Sequence, residues 1–201
     1  MEKPQNQYKL LPAEINDAAA LSNLINSAYR GEESTKGWTS EAHLLLGPLR
    51  TDENLVEELI QKPSATIIKC VKDNKIHGCV YLEKQGAKLY LGMLSVSPTH
   101  QAGGIGKKLL YTAEAYAKAL ECSIITINVI SVRIELIEWY ERLGYVKTGT
   151  SKPFPVDERY GKPTQELILI DLEKQIWKCA NVPMGASSNV LNSFQLNYNI
   201  I

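Results

Sequence analysis

The residues Gln101-Ala102-Gly103-Gly104-Ile105-Gly106 stand between an apolar run and an amphipathic one, and their spacing suits an anion. The first N–H groups of a helix lack intrahelical acceptors and carry partial positive charge, and glycine lacks the Cβ that would hold a phosphate away from them. Two better-known phosphate motifs fail here on particular residues. A P-loop needs glycine ahead of its Gly-Lys pair and Ser or Thr after it, where Gln101 and Lys108 stand. A dinucleotide fingerprint needs a further glycine where Leu109 stands, and an acidic residue after the next strand, where Ser131-Val132-Arg133 offers none.

Other chemistries find less support. Cys70, Cys79, Cys122 and Cys179 form no CxxC pair, and His43, His77 and His100 are scattered among them, so the pattern offers neither a metal site nor a disulfide framework and predicts reduced thiols. None of the cysteines neighbours a histidine in a turn that would activate it as a nucleophile. Lys plus Arg equals Asp plus Glu at 22 each, which gives no net field to recruit nucleic acid or an anionic membrane. No basic, apolar and small-residue succession opens the chain and no apolar run is long enough to span a bilayer, so a cytoplasmic protein is expected.

The elements that must position the glycine turn can be read from periodicity. Residues 7–11 alternate as a strand, and Asn16 or Asp17 caps a helix carrying Leu21, Leu24, Ile25 and Ala28. Between Gly37 and Pro63 two short helices are predicted, one capped by Thr39 or Ser40 and broken at Gly47-Pro48, the other capped by Asp52. Runs at 65–71, 76–83 and 89–96 predict an antiparallel meander. After the turn, Ile105, Leu109, Ala113, Tyr116, Ala117 and Leu120 mark a helix, and 123–130 a buried strand. Leu136, Tyr140 and Leu143 line another helix closed by Gly144, and strands are predicted at 145–150 and 165–171. From Lys178 the composition turns to Asn, Ser and Gly without period, which marks 178–201 as a tail of open order. Its segment 190–201 suits an added edge strand or a homodimer contact.

The turn, with Gln101, Gly104 and Gly106 in a Gln/Arg-x-x-Gly-x-Gly/Ala pattern, resembles the acetyl-CoA motif of the GNAT N-acetyltransferases. Gly92-Met93-Leu94-Ser95-Val96-Ser97-Pro98 is similar to that family's splayed fourth strand. Trp139-Tyr140-Glu141-Arg142-Leu143-Gly144-Tyr145 is similar to its closing helix and strand. The resemblance covers roughly residues 5–173. It implies a single α/β (α+β) domain over residues 1–177, with a mixed sheet of about seven strands flanked by about four helices.

For chemistry, the resemblance implies acetyl-CoA as cosubstrate, no metal, and an amine acceptor attacking directly in a ternary complex. The backbone of Leu94-Ser95-Val96 would hold the pantetheine and polarise the thioester. The amides of Gln101, Ala102, Gly103, Gly104, Ile105 and Gly106 would hold the pyrophosphate, with Lys107 adding charge. Tyr140 would be the general acid. Read from periodicity alone, Tyr140 is a core residue in register with Leu136 and Leu143.

Two departures from the pattern bear on the site. Many members carry Asn and Ala where this chain has Arg133 and Leu136, and Arg133 can reach a cofactor phosphate, bind a substrate carboxylate, or sit solvated. Some protein-modifying members carry a glutamate where Tyr90 stands. That leaves Glu83, Glu41 or a water chain as the base. The resemblance also places the acceptor beside the loop after the first helix and the segment before the last strand. There Trp38 with Glu41 would cradle an ammonium, or Trp38 packs beneath the helices and Glu41 faces solvent. The leading expectation is a small-molecule or amino-acid-like amine acceptor. A peptide or protein α-amine, a lysine side chain, and a non-catalytic acetyl-CoA-binding module are the alternatives.

Overall fold

The computed structural model describes residues 7–155 and 157–176. The tail at 178–201, with its edge-strand and dimer readings, lies outside the described residues.

β1 (Lys9–Pro12) leads through a 3-10 turn into α1 (Ala18–Tyr29), which buries Leu21, Leu24, Ile25, Ala28 and Tyr29 at the spacing of one helical face. A single turn, α2 (Gly31–Ser34), follows. The helix predicted from Thr39 or Ser40 is absent. Ser40 bonds back to Ser34 Oγ (2.7 Å), Glu41 is drawn inward by two arginines, and the chain extends into β2 (Leu45–Leu46). Leu44 and Leu45 pack with Ile130 and Leu167, so tertiary burial prevails over the local helical pattern. The second predicted helix forms as α3 (Glu53–Gln61), and Asp52 caps it by accepting from the Leu55 amide at 2.8 Å.

β3 (Ala65–Lys72), β4 (Lys75–Gln85) and β5 (Lys88–Val96) form the meander, and α4 (Ile105–Ala119) crosses over to β6 (Ile124–Ile130). α5 (Ile134–Glu141), β7 (Val146–Pro153), β8 (Lys162–Pro163) and β9 (Ile168–Gln175) complete the described chain. Gly144, at φ +88, supplies the left-handed cap after α5. The last strand lies downstream of the predicted 165–171, because its ladder with β6 runs to Ile124↔Gln175 and Leu167 is taken into the β2 cluster.

The seven-stranded sheet has the order β1-β3-β4-β5-β6-β9-β7, and β2 pairs separately with β8. Only β5 and β6 are parallel, and they pair at just Lys88↔Ile124, Leu89↔Ile125 and Tyr90↔Thr126. One core lies between α4, α5 and the sheet, and a second beneath α1 and α3. The domain is therefore the expected mixed α/β arrangement, with a gap between β5 and β6 beyond Tyr90.

Candidate functional site

The gap places the glycine turn at one end of an internal passage. Ala102 (φ 64) and Gly104 (φ 80) both lie in the left-handed region, which reverses the chain into α4. The first amides of α4, on Ile105, Gly106 and Lys107, have no intrahelical acceptors. A Cβ on Gly104 would meet nothing within 4 Å, whereas one on Gly106 would touch Trp139 at 3.7 Å. The turn is thus open on the Gly104 side and floored by the α5 tryptophan. That arrangement fits a pyrophosphate held at the end of α4.

From the turn, a cavity of about 200 Å³ runs between β5 and α5, past Val96, Lys107, Leu136 and Trp139, to Tyr140 and Tyr29. A second cavity, of about 440 Å³, lies beyond and is lined by Arg50, Glu41, Tyr90 and Arg133 among others. The two share Tyr29, Leu94, Leu136 and Tyr140. Those four side chains surround the junction.

β5 is irregular at this point. Its register against β4 shifts opposite residues 79–81, and Met93 takes a positive φ of 50, as in a β-bulge. The Leu94 carbonyl accepts from Tyr29 Oη, and the Val96 carbonyl accepts from Gln101 Nε2 at 3.2 Å. Ser95 is buried and donates to the Met93 carbonyl at 3.0 Å.

Tyr140 is 6% exposed, and its hydroxyl has no protein hydrogen-bond partner among the described residues. Burial drives its phenol well above the usual tyrosine range, and the neighbouring Tyr29 and Tyr145 add to the effect. Burial also raises Tyr29, partly countered by Arg50, whose guanidinium lies 4.1 Å above the Tyr29 ring. Both phenols are therefore protonated at neutral pH.

The remaining expected site residues are dispersed. Gln101 lines the first cavity, yet its side chain is turned to the loop after α2: Oε1 accepts from the Trp38 amide (2.9 Å) and Nε2 donates to Thr39 Oγ1 (2.9 Å). Ala102, Gly104, Ile105, Gly106 and Lys107 line that cavity; Gly103 and Ser95 line neither. Arg133 is not solvated: it is 2% exposed, donates to Glu135 (2.5 Å) and to the carbonyls of Thr39 (3.2 Å) and Trp38 (3.1 Å). Arg133 and Gln101 thus clamp one loop from two sides.

Trp38 and Glu41 do not pair. Trp38 is 42% exposed, meets Trp139 edge-on at 5.7 Å and faces the first cavity. Glu41 is 4% exposed and neither solvated nor free for an ammonium, because Arg30 (2.5 Å) and Arg50 (2.6 Å) both bond its Oε2. Glu83 lies away from the junction, bonded by Lys62 (2.6 Å) and Tyr81 (2.9 Å), and lines neither cavity. Of the two carboxylate candidates for the base, neither is available to a proton at the junction.

Tyr29 at the junction and Arg50 in the second cavity carry no signal in the sequence. Tyr29 continues the Leu21 and Ile25 stripe of α1 and so looks like core. Arg50 precedes the Asp52 cap in a stretch with no motif, and only the folded chain brings it over Tyr29.

Residues 20–145 match the Acetyltransferase (GNAT) family. No curated protein matches the chain. Among solved structures, the chain is similar to the ribosomal-protein-S18-alanine N-acetyltransferase of Escherichia coli, at 15% identity and TM-score 0.64 over 90% of this chain and 100% of that one. It is also similar to yncA of Salmonella typhimurium, determined with its cofactor acetyl-CoA, at 17% identity and TM-score 0.62 over 88% and 98% of the two chains. An N-acetyltransferase from Staphylococcus aureus Mu50 overlays at TM-score 0.63 with 16% identity, over 85% of this chain and 98% of that one. At these identities the overlays speak to fold. Among the described residues no helix is long and apolar enough to cross a membrane.

Proposed function

Because the chain belongs to the GNAT acetyltransferase family, an acyltransferase family that uses acetyl-CoA, we propose that residues 1–177 transfer acetyl to a small-molecule amine in a ternary complex, with Tyr140 as general acid. The observation that carries this reading is the meeting of two cavities at Tyr29, Leu94, Leu136 and Tyr140, which lets donor and acceptor occupy the chain together. The second cavity, about 440 Å³, is of the size that encloses a small ligand. The buried thiols Cys70, Cys79 and Cys122 fit a reducing cytoplasmic setting and offer no acyl-enzyme route.

Bound acetyl-CoA supplies a thioester whose carbonyl carbon takes the amine nitrogen as the C–S bond breaks. The amides of the α4 end and the Lys107 ammonium would hold its pyrophosphate. With the Leu94 and Val96 carbonyls taken by Tyr29 and Gln101, the backbone amides of this bulged stretch of β5 would orient the thioester. Tyr140 keeps its proton at neutral pH and directs it at the departing sulfur. Glu41 is held by two arginines and Glu83 lies elsewhere, so the amine loses its proton to water in the second cavity.

Tyr140→Phe tests the acid role by thiol release from acetyl-CoA. The expected result is a kcat lower by roughly 10²–10⁴ with unchanged acetyl-CoA affinity. An unchanged kcat sinks the assignment. A thermal shift with acetyl-CoA and no turnover across an amine panel would make the chain a binding module instead.

A further inference from the structure

We propose that the acceptor carries a carboxylate a few bonds from its amine, and that Arg50 binds it; this rests on the reading of small-amine acetylation above.

Among the described residues the second cavity is lined by Arg30, Arg50, Lys152 and Arg133, the last already paired with Glu135, and by the carboxylates Glu41 and Asp157. Both carboxylates are already committed. Asp157 accepts from Arg159 Nε and Nη2, at 3.0 and 2.6 Å, and Glu41 Oε2 takes both Arg30 and Arg50. Among the described residues Arg30 and Arg50 thus share one carboxylate and Lys152 has none, so cation exceeds available anion at a partly desolvated site, where unpaired charge is unfavourable. Arg30 carries the same imbalance, for its Nε is buried with no partner among the described residues.

Arg50 is the cation placed to meet a ligand. Its side chain is 27% exposed against 2% for Arg30 and for Arg133, and it spends only Nη1 on Glu41. No protein group among the described residues takes its Nε or Nη2. Stacking on Tyr29 at 4.1 Å holds the guanidinium plane, and a planar fork with two donors to spare matches a carboxylate.

Distance to the reaction centre sets the spacing within the acceptor. Arg50 lies over the face of the Tyr29 ring, its guanidinium carbon 4.1 Å from the centroid, and the hydroxyl of the same ring bonds the Leu94 carbonyl at the junction. Anion site and acetyl site therefore adjoin the same tyrosine, one at its face and the other at its hydroxyl. An amino acid of short reach spans that interval. A peptide α-amine, whose neighbouring carbonyl is a neutral amide, gives Arg50 no anion to hold.

Calorimetric titration of the CoA-loaded full chain with the proteinogenic amino acids, β-alanine, their C-terminal amides and the corresponding decarboxylated amines tests this. At least one acid is expected to bind, with its amide weaker by about 10- to 100-fold, as for loss of a charge-assisted pair of bonds. R50Q is expected to bind acid and amide alike. R50K, which keeps a charge beside Glu41 but loses the planar fork, should fold normally and lose most of the preference. Equal binding of acid and amide to the unaltered chain, no binding by any acid, or a folded R50Q that keeps the preference would overturn the proposal. Thiol release over the same series separates it from the reading beneath it. Acids that bind selectively without being acetylated leave the carboxylate site standing and remove the transfer; amides acetylated as well as acids do the reverse.

Discussion

At the scale of single residues, Glu41 shows how far burial changes a carboxylate's part. Burial alone would raise its pKa; Arg50 and then Arg30 more than offset that and hold it below the usual range. A carboxyl whose folded pKa lies below its unfolded value of about 4.3 stabilises the fold above that value, and the stabilisation is lost as pH falls through the folded pKa. Glu41→Gln should therefore cost about 3 kcal/mol at neutral pH by leaving Arg30 and Arg50 buried without their anion, and should flatten the loss of stability in acid. Denaturant melts at pH 7 and in acid well below the unfolded carboxyl value, at about pH 2–3, check both parts, and an unchanged midpoint at pH 7 would contradict the ion-pair geometry. The same commitment of Glu41 bears on rate. With no free carboxylate at the junction, log(kcat/KM) should climb with unit slope up to the acceptor amine's own pKa, and a plateau set by a group near pH 6–7 would reveal an enzymic base. Tyr140's place beside both cavities was legible because its heptapeptide is distinctive. Arg50 and Tyr29 were not, because one lies outside any motif and the other reads as the last apolar turn of α1; the positions that depend on long-range packing leave no local spacing.

At the scale of elements, the glycine turn and the β5 bulge share one task, and both depend on backbone rather than side-chain identity. Gly104 sits at φ +80 with open space where a Cβ would project. Gly104→Val should destabilise by about 1–2 kcal/mol from the left-handed strain of a β-branched residue, and should weaken acetyl-CoA binding by placing two methyls in front of the α4 amides. Isothermal titration compared with a melt separates the two effects, and full affinity in a folded variant would move the pyrophosphate elsewhere. The strands of the meander and the helices after it were readable because their apolar periods agree with their surroundings. The predicted helix after Thr39 failed because Ser40, Glu41 and Leu45 each find a tertiary partner that a helix would deny them.

At the scale of the whole molecule, the sheet is two ladders held together at β5 and β6 by only three residue pairs. One ladder carries β1, β3, β4 and β5; the other carries β6, β9 and β7. The first cavity is walled from both sides, by β5 on the first ladder and by Leu136, Trp139 and Tyr140 of α5, which follows β6, on the second. A ligand there substitutes for the strand pairing that ends at Tyr90, so binding acts on stability as well as on chemistry. Acetyl-CoA at about a hundredfold over its Kd should add roughly 2.7 kcal/mol and raise Tm by roughly 5–10 °C. The added protection should be local before it is global: amide exchange should slow first at Leu94, Val96 and 104–107, which line the cavity. Uniform slowing across β1 and β3, or none at Leu94 and Val96, would mean that the ligand binds without closing the gap between the ladders.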